Sequence, residues 1–384
     1  KMSRKKSIHV ECQDCHSIIR DVDLNKDSQL CFDCKSISES SSESSSSTTI
    51  SSTNSSKKII DKLQQRDWSC VNQNDKNYFS TVFAVVTLFL FFGWASFAPI
   101  ILGVWAYFIY NGSWIAAAIA VVVLSSGFWP VKRSEALRRA YIWRTWAEYF
   151  SFQTISEVRL ESDQNYLFCC SPHGVFPMGL LLFGGVSHKV LPEINPSRLY
   201  GLIATVLLRV PILAPILRIL GACEADKSTI EKIQKENSGA SFVLVPGGIA
   251  EIFYSDEEQE MVFLKERKGF CKLALRRGLN LVPVYVFGHT QLLSYFPGRG
   301  SVIERWSRRW RVSLVQFYGS LYLPIPRPRP LVFVIGPPIQ VEQIDSPSQQ
   351  QIDELHSKYL HELIALYERH KINVPGFEHK SLVV

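Results

Sequence analysis

The chain has 384 residues, 42 basic and 35 acidic, with a net charge of +7; 46% of it is hydrophobic and the mean hydropathy is +0.04. These values exclude a wholly disordered chain and a polytopic transporter, and the length suits about two domains with ample core. Nine cysteines are too few for a disulfide scaffold, and the basic excess fits phosphate-bearing partners or an anionic membrane surface without proving either.

The chain opens on Lys1, so residues upstream of it are expected. Residues 1–35 are polar and hold Cys12-x2-Cys15 and Cys31-x2-Cys34, the pairs separated by 15 residues. Two such knuckles supply four thiolates that can close tetrahedrally around zinc, leaving no open position for catalysis. A short polar segment has few other means of folding, so a structural zinc-ribbon-like module is expected. A redox pair or disulfide clip is the competing reading. Residues 36–56 contain 13 serines in 21 positions. That composition predicts a flexible linker, which with a basic flank extends to 76.

From Asn77 to Val131, 55 consecutive residues carry no Asp, Glu, Lys, Arg or His. A membrane-spanning helix needs about 20 residues, so the run suffices for two spans and a turn. The first span is expected over 79–98. Two breaks compete for the turn, Pro99 and Asn111-Gly112-Ser113. The alternative is a buried helix pair in a soluble core. Because 76 residues precede the run, a cleaved signal peptide is disfavoured. Lys57, Lys58, Lys62, Arg66 and Lys76 precede it, and Lys132, Arg133, Arg138 and Arg139 follow. Basic residues on both sides predict a re-entering hairpin with both chain ends on the cytosolic face. The aromatic and basic stretch 138–152 predicts a helix at the headgroup level, packed on a globular domain, or both at once.

Residues 153–384 alternate strand-like and helix-like runs. Strands are predicted at 166–170, 241–245, 281–287 and 331–335, and helices at about 229–236, 267–277 and 349–369. Ser228 with Glu231 reads as the cap of the first of those helices. The alternation predicts an α/β domain with parallel strand pairs, whose ligands gather at the carboxyl ends of strands.

Two such ends carry chemistry. Ser171-Pro172-His173-Gly174 places an imidazole after the first strand. A lone loop histidine is most often structural, but a neutral one has the basicity to take a proton from an alcohol. Pro172 would stiffen the approach and Gly174 would admit a ligand close to the backbone. Pro246-Gly247-Gly248-Ile249-Ala250-Glu251 follows the second strand. Paired glycines mark a tight turn, and they also free N–H groups for an oxyanion or phosphate. Glu251 is a candidate to orient the imidazole or to serve as a structural acid. Arg267, Lys268 and Gly269 open a helix, where cations oppose the dipole and so point to a bound anion. Arg299–Arg311 is rich in Arg and Trp, but no nucleic-acid-binding pattern surrounds it; a membrane surface or a polyphosphate ligand fits better. Walker, G-x-S-x-G, H-E-x-x-H and G-x-G-x-x-G patterns are absent, which removes the commonest kinase, hydrolase and dehydrogenase readings.

Taken in order, SPHGVFPMG at 171–179, VPGGIAE at 245–251, FLKERKGFCKLAL at 263–275, LVPVYVFG at 281–288 and VIGPPI at 334–339 resemble the diacylglycerol acyltransferase type 2 family. The resemblance covers about residues 78–375, and its most specific part is 243–288. Animal and fungal members show His-Pro-His-Gly where this chain has Ser171, and plant members show Glu-Pro-His-Ser, so His173 is the position in common. More distant glycerolipid acyltransferases use His-x4-Asp; here Met178 stands in the Asp place. His289-Thr290 falls where relatives have a short polar pair, and the cysteine module lies outside the family pattern.

The resemblance implies a glycerolipid-acyltransferase-like α/β domain over 132–384, anchored by the hairpin at 77–131. It implies acyl transfer from acyl-CoA to diacylglycerol, with no redox cofactor and no nucleic acid. His173 would be the general base and Glu251 its partner. Pro172, Gly174, Pro246, Gly247, Gly248, Arg267, Lys268 and Gly269 would hold substrate. The expected setting is the endoplasmic reticulum membrane or a lipid-droplet surface, with membrane lipids as partners. A homo-oligomer and a protein partner for the cysteine module are compatible with it. Two rival readings are an acyltransferase for another acceptor (monoacylglycerol, a long-chain alcohol or a lysophospholipid) and a non-catalytic membrane scaffold.

Overall fold

A computed structural model describes residues 77–254, 259–310 and 315–384, together with the short strands at 10–11, 18–19 and 66–69. The chain divides into two compact units, Lys1–Lys62 and Leu63–Val384. In the first, β1 (Val10–Glu11) and β2 (Ile18–Ile19) pair antiparallel. Cys12, Cys15, Cys31 and Cys34 lie outside the described residues, as does the serine linker.

The second unit begins with β3 (Arg66–Ser69) and then three apolar helices: α1 (Tyr78–Ser96), α2 (Ala98–Tyr110) and α3 (Trp114–Ser125). Both anticipated breaks are used. Pro99 sits in the first turn of α2, where its missing N–H costs nothing, and Asn111–Ser113 turns the chain back, with Gly112 at φ +79°. The run is therefore three helices instead of two. Among the described residues, only α1, with 19 residues, is long and apolar enough to cross a membrane. It presents Ser80, Ala84, Leu88, Phe92 and Ser96 to the domain at fourfold spacing, while Phe79, Val82, Val86 and Leu90 face outward.

Two further helices follow, α4 (Glu135–Arg138) and α5 (Tyr141–Tyr149). Trp143 and Trp146 of α5 are buried; the Trp146 indole donates to Thr87 Oγ1 at 2.8 Å and the Ser80 hydroxyl to Glu148 at 2.6 Å. The aromatic stretch is thus a packed helix that fastens α1 to the domain.

The remaining elements are β4 (Gln153–Ser156), β5 (Tyr166–Ser171), α6 (Met178–Val190), β6 (Leu199–Ile203), α7 (Leu213–Ile219), β7 (Ala222–Glu224), α8 (Lys227–Glu236) and β8 (Ser241–Leu244). They continue with β9 (Glu260–Met261), α9 (Gly269–Arg277), β10 (Asn280–Phe287), β11 (Ser294–Phe296), α10 (Val302–Trp310), β12 (Gln316–Tyr318), β13 (Val332–Ile335), α11 (Gln349–Lys371) and β14 (Leu382–Val383). Eight strands form one sheet in the order β3-β4-β13-β10-β5-β8-β6-β7. The run β10-β5-β8-β6-β7 is parallel, whereas β10–β13 and β3–β4 are antiparallel. β4, β6 and β7 were not anticipated.

Alternation along the strands sorts side chains to two faces. Phe168, Cys170, Val282, Val284, Val286 and Phe333 meet α1, α5 and α6. Leu167, Cys169, Phe242, Leu281, Tyr285 and Val334 meet α8, α9 and α11. Strands covered on both sides read as continuous apolar runs. α8 is capped by Asp226, whose carboxylate accepts from the N–H groups of Ser228 and Thr229, so Ser228 is a donor to the cap and not the cap itself. α11 does carry a capping box, Ser348 with Gln351.

Candidate active site

The carboxyl ends of the central parallel strands supply the site. β5 runs into Pro172, His173 and Gly174, and the chain then enters α6. His173 is half-buried, and its Nδ1 lies 2.8 Å from the Gly174 carbonyl. A carbonyl only accepts, so the ring proton resides on Nδ1 and Nε2 is the basic nitrogen. Among the described residues, no protein hydrogen bond reaches that Nε2. Burial, offset in part by the Gly174 contact, holds the imidazole below its ordinary pKa. It is therefore neutral near pH 7 and able to accept a proton.

Gly174 takes φ +62°, and a Cβ there would stand 2.9 Å from the His289 carbonyl oxygen. Any larger residue would push the loop away from β10.

Glu251, fully buried, reaches His173 through the main chain. Its Oε2 accepts the His173 N–H at 2.7 Å and its Oε1 accepts the Phe263 N–H at 2.9 Å. Burial pushes this carboxyl up to about 7, opposed by the two N–H groups and by the charge of Arg267. Gly247 has no room for a Cβ because the Glu251 carboxylate occupies that space. The turn Pro246–Gly248 thus wraps over Glu251, and Gly248 takes φ +59°.

Arg267 is exposed, over the Phe263 ring at 5.4 Å, and near enough to Glu251 to favour its charged form. Lys268 is the N-cap of α9 and pairs with Asp353 of α11 at 2.8 Å, and Gly269 begins the helix. His173, Pro172, Gly174, Gly247, Glu251 and Arg267 are gathered in one place; Lys268 is turned toward α11. No cluster of three or more metal-ligating side chains exists among the described residues.

Two groups at this site went unassigned from sequence. His289 is buried against Pro172 and Gly179. Glu260 accepts from Tyr285 Oη at 2.8 Å and Thr290 Oγ1 at 3.0 Å beneath the end of β10. The signal available for His289 was its place directly after Gly288 at a strand end, the same kind of place as His173. Glu260 offered none.

The diacylglycerol acyltransferase family model matches residues 108–384. The chain is 30% identical over 253 residues to diacylglycerol O-acyltransferase 2 of Homo sapiens, covering 62% of this chain and 65% of that protein. The matched stretch is thus a little under two thirds of the human relative's length. It is 29% identical over 258 residues to the human acyl-CoA wax alcohol acyltransferase 2, covering 62% of this chain and 76% of that one. The 1-acyl-sn-glycerophosphate acyltransferase of Thermotoga maritima aligns in structure at a TM-score of 0.38 with 16% identity, over 75% of this chain and 97% of that one. With the family model spanning well over half of its residues, the chain belongs to the diacylglycerol acyltransferase family.

Proposed function

We propose that the chain transfers a fatty acyl group from acyl-CoA to the free hydroxyl of diacylglycerol, forming triacylglycerol. The observation that carries the reading is the half-buried, neutral His173, whose Nδ1 is engaged and whose Nε2 is left as a base. That nitrogen takes the hydroxyl proton as the oxygen attacks the thioester carbonyl. The tetrahedral intermediate then collapses: the C–S bond breaks, the ester C–O bond remains, and the imidazolium returns its proton to the CoA thiolate. The thioester is already activated, so no covalent enzyme intermediate is required. The N–H groups of Gly247 and Gly248 are the candidates to steady the oxyanion, and Arg267 to hold CoA phosphates, whereas Lys268 is engaged by Asp353. Glu251 acts on His173 through its main-chain N–H.

The three apolar helices anchor this domain in the endoplasmic reticulum membrane or at a lipid-droplet surface, with the active site on the cytosolic side. Cys12, Cys15, Cys31 and Cys34 are assigned to a structural zinc. In support, β1 and β2 bracket the first pair and join antiparallel, as the arms of a knuckle would.

The deciding test is neutral-lipid synthesis in cells lacking triacylglycerol synthesis, with wild type beside His173→Ala at matched protein level. Loss of acyl transfer in the variant is expected; retained activity removes His173 from the chemistry. The similarity to a wax alcohol acyltransferase favours one second reading, a long-chain alcohol as acceptor, and an acceptor panel distinguishes the two. An absence of acyl-CoA turnover with every acceptor would instead favour a membrane scaffold.

A further inference from the structure

β10 ends at Phe287, and the chain turns at Gly288 so that the next side chain, His289, lies under the His173 loop at 1% exposure. Its Nε2 accepts the Gly179 N–H at 2.7 Å, and its Nδ1 stands 2.9 Å from the Pro172 carbonyl oxygen. A main-chain N–H can only donate, so Nε2 is unprotonated; the single ring proton is on Nδ1 and goes to Pro172. Both nitrogens are consumed, and the ring is excluded as an acid or a base in its own right.

The two groups it ties lie on either side of His173. Pro172 immediately precedes it. Gly179 is the second residue of α6, so its N–H is one of the donors that a helix start leaves without an internal partner. A Cβ on Gly179 would stand 2.8 Å from Val286 and 3.3 Å from the His289 ring, so the close approach depends on its absence. One side chain thereby ties the start of the loop 172–177 to the first turn of α6 that follows it, with Gly174 resting on the His289 carbonyl. The contrast is His356, also buried, which holds the Leu264 carbonyl through Nε2 and touches neither end of this loop.

We propose that His289 is a positioning residue for acyl transfer, a staple that sets where the His173 imidazole stands against substrate. The proposal rests on the reading of His173 as the base. Misplacement of a reacting group by about 1 Å can cost on the order of 100-fold in rate, so the effect falls on turnover more than on binding.

The test uses the full chain in microsomes of cells lacking triacylglycerol synthesis, with His289→Ala, His289→Gln, His289→Asn and His173→Ala. Readouts are kcat, KM for acyl-CoA, and thermal unfolding of the detergent-solubilised protein. His289→Ala is expected to lower kcat roughly 10- to 100-fold with KM within about twofold. Gln restores an acceptor near the Nε2 place and Asn a donor near the Nδ1 place, so each is expected to recover part of that loss. Wild-type kcat in His289→Ala, with His173→Ala inactive, overturns the staple and leaves the base intact. Activity retained in His173→Ala overturns the parent reading. A loss that only follows the folded fraction, with no recovery in Gln or Asn, overturns the proposal as well. Should His289→Ala fail to fold, the Gln and Asn variants decide: wild-type kcat in both rejects it, and reduced kcat at constant KM supports it.

Discussion

Strand β10 and helix α2 are made of the same kind of sequence and end in opposite surroundings. All eight residues of β10 are buried, and none of the thirteen in α2 is. β10 lies between β5 and β13, with helices on both faces, so its neighbours satisfy its backbone and cover its side chains. α2 satisfies its own backbone and has α3 beside it, leaving Ile100, Leu102, Val104 and Tyr107 exposed. Contiguous apolar surface on that scale is unusual facing water. A helix with its backbone bonds closed is the form that lipid accepts. Composition therefore marks both segments as apolar, and element type and neighbours decide how much of each the protein itself covers.

A matched pair of truncations would break that comparison if it is wrong. Leu281→Ala on β10 removes a fully buried side chain and is expected to cost about 2–5 kcal/mol in unfolding experiments on the detergent-solubilised protein. Leu102→Ala on α2, 53% exposed, should stay within about 0.5 kcal/mol. Equal losses would mean that α2 is covered by protein. Val104→Lys extends the test: on the proposed membrane reading it should cost about 2.5–3.5 kcal/mol of insertion while leaving the solubilised fold unchanged, checked by carbonate extraction.

The pattern of what could be read from sequence follows the same physics. β5, β8, β10 and β13 were legible because strands covered on both faces are continuous apolar runs. β4, β6 and β7 (QTIS, LYGLI and ACE) carry no such run; they are strands because a neighbour pairs with them. His173 and Glu251 were legible as strand-end residues, but not the way they meet, since Glu251 binds the main chain of His173 and not its ring. His289, noted beside Thr290, could be given no role because its partners lie 110 or more residues away in sequence.

Glu251 sharpens the contrast from inside the buried region, where a charge has to be held by named donors. Its folded pKa is raised to about 7 from an ordinary 4.5. Between those values the folded state binds the extra proton, so Glu251's contribution to stability is full below about 4.5 and declines as pH rises toward 7. The slope is at most about 1.4 kcal/mol per pH unit. Activity should move the other way, rising toward pH 7 as the ionised carboxylate accepts both N–H groups. Glu251→Gln should flatten the stability slope across this window. An unchanged slope in the variant would assign it to another group.

The smallest effect is expected at the rim of the same domain, where burial is partial. Glu157 follows β4 and accepts from Arg369 through Nε and an Nη atom, each at 2.8 Å, and lies 2.8 Å from His370 Nε2, tying the sheet to the end of α11. Burial works to raise its pKa, but the hydrogen bonds from His370 and Arg369 outweigh it and hold the carboxyl below its ordinary value. Its contribution is therefore present near neutral pH and lost in acid, as pH falls through the folded pKa. Arg369 remains 43% exposed, so solvent screens the pair and a double-mutant cycle with Glu157→Gln and Arg369→Gln should give a coupling of about 0.2–1 kcal/mol. The coupling should shrink at high salt, as exposed pairs do. A coupling of several kcal/mol, insensitive to salt, would place Glu157 in the buried region with β10 and move the boundary between core and rim inward.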